Sequence, residues 1–345
     1  MSKPADTQSD EDIVDFLSTF IADLHEAPMS IEVTAWLDGL WMNAPSVLAS
    51  GIHFRRPEAK DFEHERAFDL QLAGYSDLWP RFHPPAIASF QVRGGAIFDA
   101  QKEIGALVNA LRLYRLGSVY GMKHVVSPKS IIRSGVIIGP GGNVAAPYKY
   151  SLNLSDPDPL SRFLDRVRPL VPTGYEPGGS TLPPALIGFR RYSDALIGRG
   201  DVQERITAGI TCLEALFLKD RERADLSYRL SLRAAALLRL IGFRGLEVEK
   251  RVHDAYDIRS HYIHGGAGDP AMLHKADQLC RHVLDYARIA VLIFLQLGGS
   301  MDKDDIVSRL DGGLLEEKRL DKLKACLAPL LLPGIPQVDS AEGAM

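Results

Sequence analysis

The sequence predicts an α+β protein in which an N-terminal mixed α/β domain with a meandering sheet precedes an all-α helical bundle. Segments in the first 150 residues alternate apolar and polar residues, as half-buried strands do. From residue 185 onward, apolar residues recur at helical spacing instead. Residues 171–184 contain four prolines and three glycines, which neither continue a helix nor pair well in a sheet. We therefore predict one domain at residues 1–178 and a second at 179–345.

The N-terminal half begins with a helical pattern at residues 13–24, where apolar positions repeat every three or four residues. Alternating segments then predict strands at residues 31–37, 67–72, 86–92, 122–126, 130–138 and 148–154. Prolines and glycines separate several of these segments. Helices are predicted at residues 101–116 and 158–170.

The C-terminal half is predicted to be almost wholly helical. Its five main helices are expected at residues 185–197, 202–219, 226–242, 246–263 and 273–297, with two shorter ones between 302 and 332. Their apolar residues cover one face or nearly all faces, so the helices are expected to pack as a bundle. Residues 333–345, rich in proline, glycine and small polar residues, are predicted to be disordered.

Composition and charge favour a globular protein in the cytoplasm. The longest clean apolar run, residues 289–295, is too short to span a bilayer, and the first twelve residues are polar and acidic, unlike a signal peptide. Cys212, Cys280 and Cys326 stand singly in apolar patterns, which predicts reduced core residues. The net charge is −4, but residues 181–299 hold 17 Lys and Arg against 14 Asp and Glu. This modest basic excess permits contact with RNA without demanding it.

The stretch from Tyr256 to Gly266 carries the residues best suited to chemistry on a phosphodiester. Arg259 stands five residues before His264, and two glycines follow at once. A guanidinium is a planar fork of donors that fits a phosphate, and an imidazole exchanges protons near neutral pH. The glycines are expected to end the helix. Because this spacing also occurs by chance, the alternative is a histidine that ends a surface helix.

Three segments surround this pair with a recognisable order. They are residues 213–216 (Leu-Glu-Ala-Leu), 228–234 (Tyr-Arg-Leu-Ser-Leu-Arg-Ala) and 256–265 (Tyr-Asp-Ile-Arg-Ser, then His-Gly). This order resembles the ApeA-like HEPN domain, over residues 180–300. The resemblance implies a helical bundle, often dimeric, that cuts RNA without a metal or other cofactor. Its Arg-x4–6-His motif matches Arg259 and His264, and Ser260 stands where Asn, Asp or His is frequent in the wider superfamily.

The resemblance also implies a mechanism and a biological setting. The ribose 2′-hydroxyl attacks the adjacent phosphate while Arg259 holds the phosphate and His264 acts as general acid or base. Two such motifs in a homodimer face one cleft. The expected partner is RNA, with no membrane, and the expected role is phage defence or growth arrest. The trigger or ligand of the N-terminal domain is unknown at this point.

Four neighbouring side chains are expected to support the site: Glu214, Ser260, His261 and Tyr256. Glu214 lies in an apolar run and needs a cationic partner, which is either a bundle arginine such as Arg229 or Arg233 or else Arg259 itself. Tyr256 is either a core tyrosine or a platform for a base.

His261 lies three residues before His264, so both can share one helix face. Without a second cluster of ligands at suitable spacing nearby, the two histidines do not predict a metal site.

Two further expectations concern assembly and the competing function. The helix at residues 273–297 is apolar on more than one face, which predicts that part of it is buried against a second copy of the chain. The competing function is a non-catalytic HEPN module that binds nucleotides or nucleic acid, or serves for dimerisation.

Overall fold

The computed structural model describes residues 10–25, 28–58, 61, 86–132, 135–138, 148, 150–152, 157–173, 182–198, 200–265 and 275–335. Within these ranges the chain is an α+β protein with a six-stranded antiparallel sheet and many helices. The predicted fold class is therefore confirmed at this level. The predicted strand at residues 67–72 and the tail beyond residue 335 lie outside the described residues.

The sheet places its first strand at the centre. The strands are β1 (Met29–Asp38), β2 (Leu40–Met42), β3 (Ser46–Ala49), β4 (Ile52–Arg55), β5 (Ala86–Gly94), β6 (Tyr120–Pro128), β7 (Val136–Ile138) and β8 (Tyr150–Leu152). The large sheet has the order β3-β4-β5-β1-β6-β7, while β2 pairs in parallel with β8. The strands β3, β4 and β5 are consecutive neighbours on one side of β1, and β6 and β7 are neighbours on the other side. The sheet is therefore not one continuous meander, because β1 lies between β5 and β6.

The composition of β1 explains its central position. Ile31, Val33, Ala35 and Leu37 on one face of the strand are completely buried. Both edges of β1 pair antiparallel, with β5 on one side and β6 on the other. A strand with a fully apolar face is most stable where neighbours satisfy both of its backbone edges.

Among the described residues, the helices of the N-terminal half are α1 (Asp10–Leu24), α2 (Ile97–Tyr114) and α3 (Asp158–Val167), which continues into a 3₁₀ turn at Arg168–Leu170. The central one, α2, packs against the sheet and buries Ile104, Leu107 and Leu111. A helix was therefore correctly predicted at residues 101–116, but in the structure it begins four residues earlier, at Ile97.

The C-terminal half contains the predicted helices. They are α4 (Pro184–Ile197), α5 (Val202–Phe217), α6 (Leu226–Arg239), α7 (Gly245–Ile263), α8 (Ala276–Leu297), α9 (Lys303–Gly313) and α10 (Lys318–Leu327). Asp201 accepts hydrogen bonds from the backbone N–H groups of Gln203 and Glu204 and so fixes the start of α5. The bundle packs mainly through the contacts of α5 with α4, α7 and α8 and through the contact of α6 with α7.

The apolar faces of α8 are covered within one chain. Its side chains from Val283 to Leu284 and from Tyr286 to Leu295 are buried, all the way around the helix. The surrounding elements are α4, α5, α6, α7 and α2. This surface therefore does not support the predicted second copy, because neighbouring helices and α2 already cover it, and the homodimer stays a prediction.

The two halves of the chain share one core. The Tyr192 hydroxyl on α4 donates to the Arg112 carbonyl oxygen on α2 at 2.8 Å, and the Arg288 guanidinium on α8 donates to the Leu113 carbonyl oxygen at 2.9 Å. The buried apolar residues of both halves form one continuous cluster. The division at residue 178 stays a prediction, and the structure shows that α2 and α4 meet closely across it.

Two remaining expectations concern the cysteines and the membrane. Cys212 and Cys280 are buried as predicted, whereas Cys326 is only half-buried, because it lies on the short outer helix α10. No helix in the described part of the chain combines the length and the apolar character that crossing a bilayer requires.

Candidate active site

Helix α7 ends where the sequence predicts. Its last residue is Ile263, and the backbone N–H of His264 donates to the Ser260 carbonyl oxygen at 3.1 Å. Gly265 then adopts a φ of +69°, the left-handed conformation that glycine takes without steric cost after a helix. The Arg259–His264 motif therefore occupies the last turn of α7 and the residue after it.

An ion pair with α5 positions Arg259. Its Nη2 lies 3.2 Å from Oε2 of Glu214, and the two side chains are 23% and 18% exposed. The sequence left two alternatives for the cation that pairs with Glu214, a bundle arginine or Arg259. The structure shows the pairing with Arg259. The other arginines considered, Arg229 and Arg233, pair with Glu222 instead.

Helix geometry explains why Glu214 faces α7. Thr207, Thr211 and Glu214 are separated by four and three residues, so they share one face of α5. Burial on this face raises the pKa of the Glu214 carboxyl, and the positive charge of Arg259 opposes that shift. Arg259 therefore favours the charged form of the carboxylate that orients it, against the effect of burial.

A second polar contact links the same two helices and was missed by the sequence analysis. The Tyr262 hydroxyl donates to Oε1 of Glu204 at 2.9 Å. Tyr262 follows Arg259 by three residues on α7, and Glu204 precedes Glu214 by ten on α5. The Arg259–Glu214 and Tyr262–Glu204 pairs therefore lie along one seam between α5 and α7. The three-residue spacing of Arg259 and Tyr262, which places both on one helix face, was the sequence signal for this contact.

Buried polar atoms without partners lie along this seam. The Nε of Arg259 is buried and has no hydrogen-bond partner among the described residues, and the same is true of Oγ1 of Thr207. Buried donors and acceptors are nearly always satisfied in native proteins, by protein groups or by water. A guanidinium with a free, buried N–H is therefore prepared for an oxygen atom of a ligand or a water molecule.

Tyr256 packs beside Arg259. Its ring is half-buried against the core, and the Arg259 guanidinium carbon lies 5.3 Å from the ring centroid. This distance is within the range of a cation–π interaction. The tyrosine thus supports the arginine from the side of the core, whichever ligand the guanidinium binds.

The histidines at the end of α7 are exposed. Nδ1 of His261 lies 2.8 Å from the Asp257 carbonyl oxygen, while the His264 ring makes no hydrogen bond within the described ranges. Five residues correspond to about 140° around a helix, so Arg259 and His264 lie on different sides of α7. Arg259 faces α5, and the His264 ring is accessible to solvent.

The site offers Arg259 as a hydrogen-bond donor to a phosphate and His264 as a proton carrier. In the part of the chain that the structure describes, no group of three or more His, Cys, Asp or Glu residues could hold a metal ion. The arrangement can bind an anionic oxygen through Arg259. It can exchange a proton with an approaching ligand through His264.

The Glu214–Arg259 pair gives a first testable prediction. Because the pair is neither exposed nor fully buried, we expect Glu214→Ala to lower the free energy of unfolding by about 1–2 kcal/mol, between the ranges for surface and buried pairs. Glu214→Gln is expected to cost less, since its amide oxygen still accepts from Arg259. Urea unfolding followed by circular dichroism measures both changes.

A matched control for this prediction is Glu316→Ala. Glu316 pairs with Arg319 at 3.2 Å, but these side chains are 58% and 64% exposed, so its loss is expected to cost less than about 1 kcal/mol. Equal effects of Glu214→Ala and Glu316→Ala would mean that the α5–α7 pair contributes no more than a solvent-exposed one.

Comparison with known proteins adds no relative to this picture. No known family's profile matches the chain, and no match is found among curated proteins or solved structures. The resemblance to ApeA-like HEPN domains therefore rests on the chain's own residues at 213–216, 228–234 and 256–265.

Proposed function

We propose that the chain is a metal-independent endoribonuclease of the ApeA-like HEPN type, with Arg259 and His264 as its catalytic residues. The observation that carries this proposal is how the Arg259 guanidinium is held. It is anchored by Glu214 through one nitrogen, while its buried Nε lacks a partner in the described structure. A positioned guanidinium with a free donor suits the developing negative charge on a phosphate that is being attacked.

The reaction needs two proton transfers and no external cofactor. The 2′-oxygen of a ribose forms a bond with the neighbouring phosphorus as its proton leaves to a base. The bond from phosphorus to the 5′-oxygen breaks, and that oxygen takes a proton from an acid. The products are a 2′,3′-cyclic phosphate and a free 5′-hydroxyl. Arg259 donates to the non-bridging oxygens, and His264 makes one of the proton transfers.

A homodimer would complete this site. Arg259 and His264 lie on different sides of α7 in one chain, so one helix end does not bring both side chains to one face. Two helix ends that face a common cleft, as in the resembling family, would place a histidine from one chain near an arginine from the other. The proposed dimer therefore rests on the geometry of α7 and on the resemblance.

The oligomeric state tests this part of the proposal. We expect multi-angle light scattering of the purified protein at micromolar concentrations to report twice the 38.0 kDa mass of one chain. Dilution is expected to lower cleavage and mass together, because the complete site needs both copies. A protein that is monomeric at every concentration and still cleaves RNA would contradict the shared site.

The activity itself is tested on labelled single-stranded RNA with EDTA present. We expect cleavage that persists in the chelator and leaves fragments ending in a 2′,3′-cyclic or 3′-phosphate. An RNase-free preparation from a strain that lacks the major cellular ribonucleases serves for the measurement. Cleavage of this kind inside a bacterial cell would stop growth and limit phage multiplication, which is the biological role that we propose.

A second function is favoured by one observation. The Glu214 carboxylate neutralises part of the charge that Arg259 would offer to a phosphate. A site of this kind can bind nucleic acid or a nucleotide weakly without cleaving it, as a non-catalytic HEPN module would. Retention of intact RNA on the protein, with no cleavage in the assay above, would select this alternative.

A further inference from the structure

A cavity lies where the two halves of the chain meet. It has a volume of about 430 Å³ and is lined from one side by α2 and from the other by α4. Cavities of 300–1,000 Å³ are typical of sites for small molecules. The polar residues that line it are Asn109, Arg112, Arg190, Arg191, Ser193 and Asp194.

Arg112 supplies a buried positive charge to this cavity. Its Nε donates to the Val119 carbonyl oxygen at 2.7 Å, and Nη1 donates to Oδ1 of Asn109 at 3.0 Å. Burial lowers the pKa of Arg112 to about 10, so the guanidinium remains charged at neutral pH.

Ser193 supplies a buried polar atom that lacks a partner in the described residues. The residue is only 8% exposed, and its Oγ is buried without a hydrogen bond to any described residue. An unpaired buried hydroxyl is unfavourable in a folded protein unless a ligand or water pairs with it. Since Ser193 lines the same cavity as Arg112, both groups can bind one ligand there.

The charge of the cavity selects an anion. Among the described residues, the charged side chains that line it are Arg112, Arg190, Arg191 and Asp194. Asp194 lies 3.4 Å from Arg191, and burial raises the pKa of its carboxyl. The buried positive charge of Arg112 and the planar donors of its guanidinium match a phosphate group.

The other described residues of the lining are apolar. Pro172, Leu182, Ile187 and Phe189 form this part of the wall, and Phe189 is almost fully buried. An apolar wall beside a phosphate-binding group suits a ligand with a flat, weakly polar part, because that part leaves water when it binds. Inorganic phosphate would leave this wall uncovered.

We propose that this cavity binds a small phosphate-bearing ligand of the mononucleotide class, with the phosphate on Arg112, Arg191 and Ser193. The ligand would touch α2 and α4 at once, and these helices belong to the two halves of the chain. Binding would therefore strengthen the contact between the halves. This second site is separate from the seam between α5 and α7, and its ligand binding does not depend on RNA cleavage.

Isothermal titration calorimetry of the full-length chain tests the ligand class. The probes are the four ribonucleoside monophosphates, adenosine, ribose 5-phosphate and inorganic phosphate. We expect at least one nucleotide to bind once per chain, and at least tenfold more tightly than adenosine, ribose 5-phosphate or inorganic phosphate. Absence of binding by all four nucleotides, or equal binding of a nucleotide and adenosine, would overturn the proposal. Equally tight inorganic phosphate or ribose 5-phosphate would overturn the mononucleotide assignment.

A conservative variant places the binding in this cavity. Ser193→Ala removes a hydroxyl that has no partner in the described structure, so we expect an unchanged or higher melting temperature without ligand. The same change is expected to weaken nucleotide binding roughly tenfold, because a hydrogen bond to a charged phosphate is lost. A purely structural serine would show the reverse pattern, with a lower melting temperature and unchanged affinity.

Two further variants complete the test. Arg191→Gln removes one of the lining charges and is expected to weaken binding at least threefold, an effect that added salt reduces. Arg162→Gln, on the exposed face of α3, is the matched control and is expected to leave the affinity unchanged. Unchanged affinity in both Ser193→Ala and Arg191→Gln would place the bound nucleotide elsewhere and refute the assignment. Because no RNA is present, these results are independent of whether the protein is a ribonuclease.

Discussion

Replacing His264 with alanine is expected to reduce RNA cleavage by roughly a hundredfold or more, the usual effect of losing a general acid or base. The side chain is exposed and has no hydrogen bond within the described residues, so the melting temperature is expected to stay unchanged. Arg259→Ala is expected to lose a similar share of activity. It is also expected to lower stability modestly, because it leaves Glu214 half-buried without its cation.

The double variant and a matched control make this prediction specific. Arg259→Ala combined with His264→Ala is expected to be little slower than either single variant, because residues that act in one step are not additive. His253→Ala is the control, since His253 is an exposed histidine on the same helix that contacts Ser227 and Asp257 instead. Folded, highly purified His264→Ala protein that retains EDTA-resistant cleavage would falsify the catalytic assignment.

The helices could be predicted from the sequence because their signals are local. The helical spacing of apolar residues and the two glycines after His264 placed α7 within one residue of its observed bounds. The sheet was harder, since β2, β3 and β4 are only three or four residues long. The turn between β3 and β4 uses Ser50 and Gly51, both with positive φ, and a serine is not a strong signal for that conformation.

The candidate site could be predicted only in part, because its central contact joins distant residues. Glu214 and Arg259 are 45 residues apart, and their pairing depends on how α5 and α7 pack. The sequence showed that Glu214 needed a cation, but it left Arg229, Arg233 and Arg259 as possible partners. Helix faces restrict such choices, whereas the register between two packed helices depends on tertiary packing.

A buried network around Arg233 provides the largest expected effect on stability. Arg233 is 2% exposed and donates to both carboxylate oxygens of Glu222 and of Asp311, and to the Phe217 carbonyl oxygen. These bonds join α6 to the loop after α5 and to α9. Arg233→Ala removes the cation and leaves these buried or half-buried acceptors without it. We expect a loss of about 3–5 kcal/mol in the free energy of unfolding.

The control for this variant lies one helical turn earlier. Arg229 is 43% exposed, and within the described residues its side chain pairs with Glu222, at 3.2 Å, so Arg229→Ala is expected to cost less than about 1 kcal/mol. Urea unfolding at pH 7 compares the two variants. Similar losses would show that the chain does not depend on the buried network around Arg233.

The pH dependence of stability separates charge pairing at Arg233 from simple loss of packing. Hydrogen bonds from Arg233 are the main cause that lowers the pKa of Glu222 from 4.5 to about 2. A lowered carboxyl pKa stabilises the folded chain above the unfolded value, and this contribution is lost as the pH falls from 4.5 towards 2. We expect the wild-type protein to lose more stability across that window than Arg233→Met, which keeps most of the side-chain volume but lacks the charge. Parallel pH profiles for the two proteins would mean that Arg233 stabilises the bundle by packing alone.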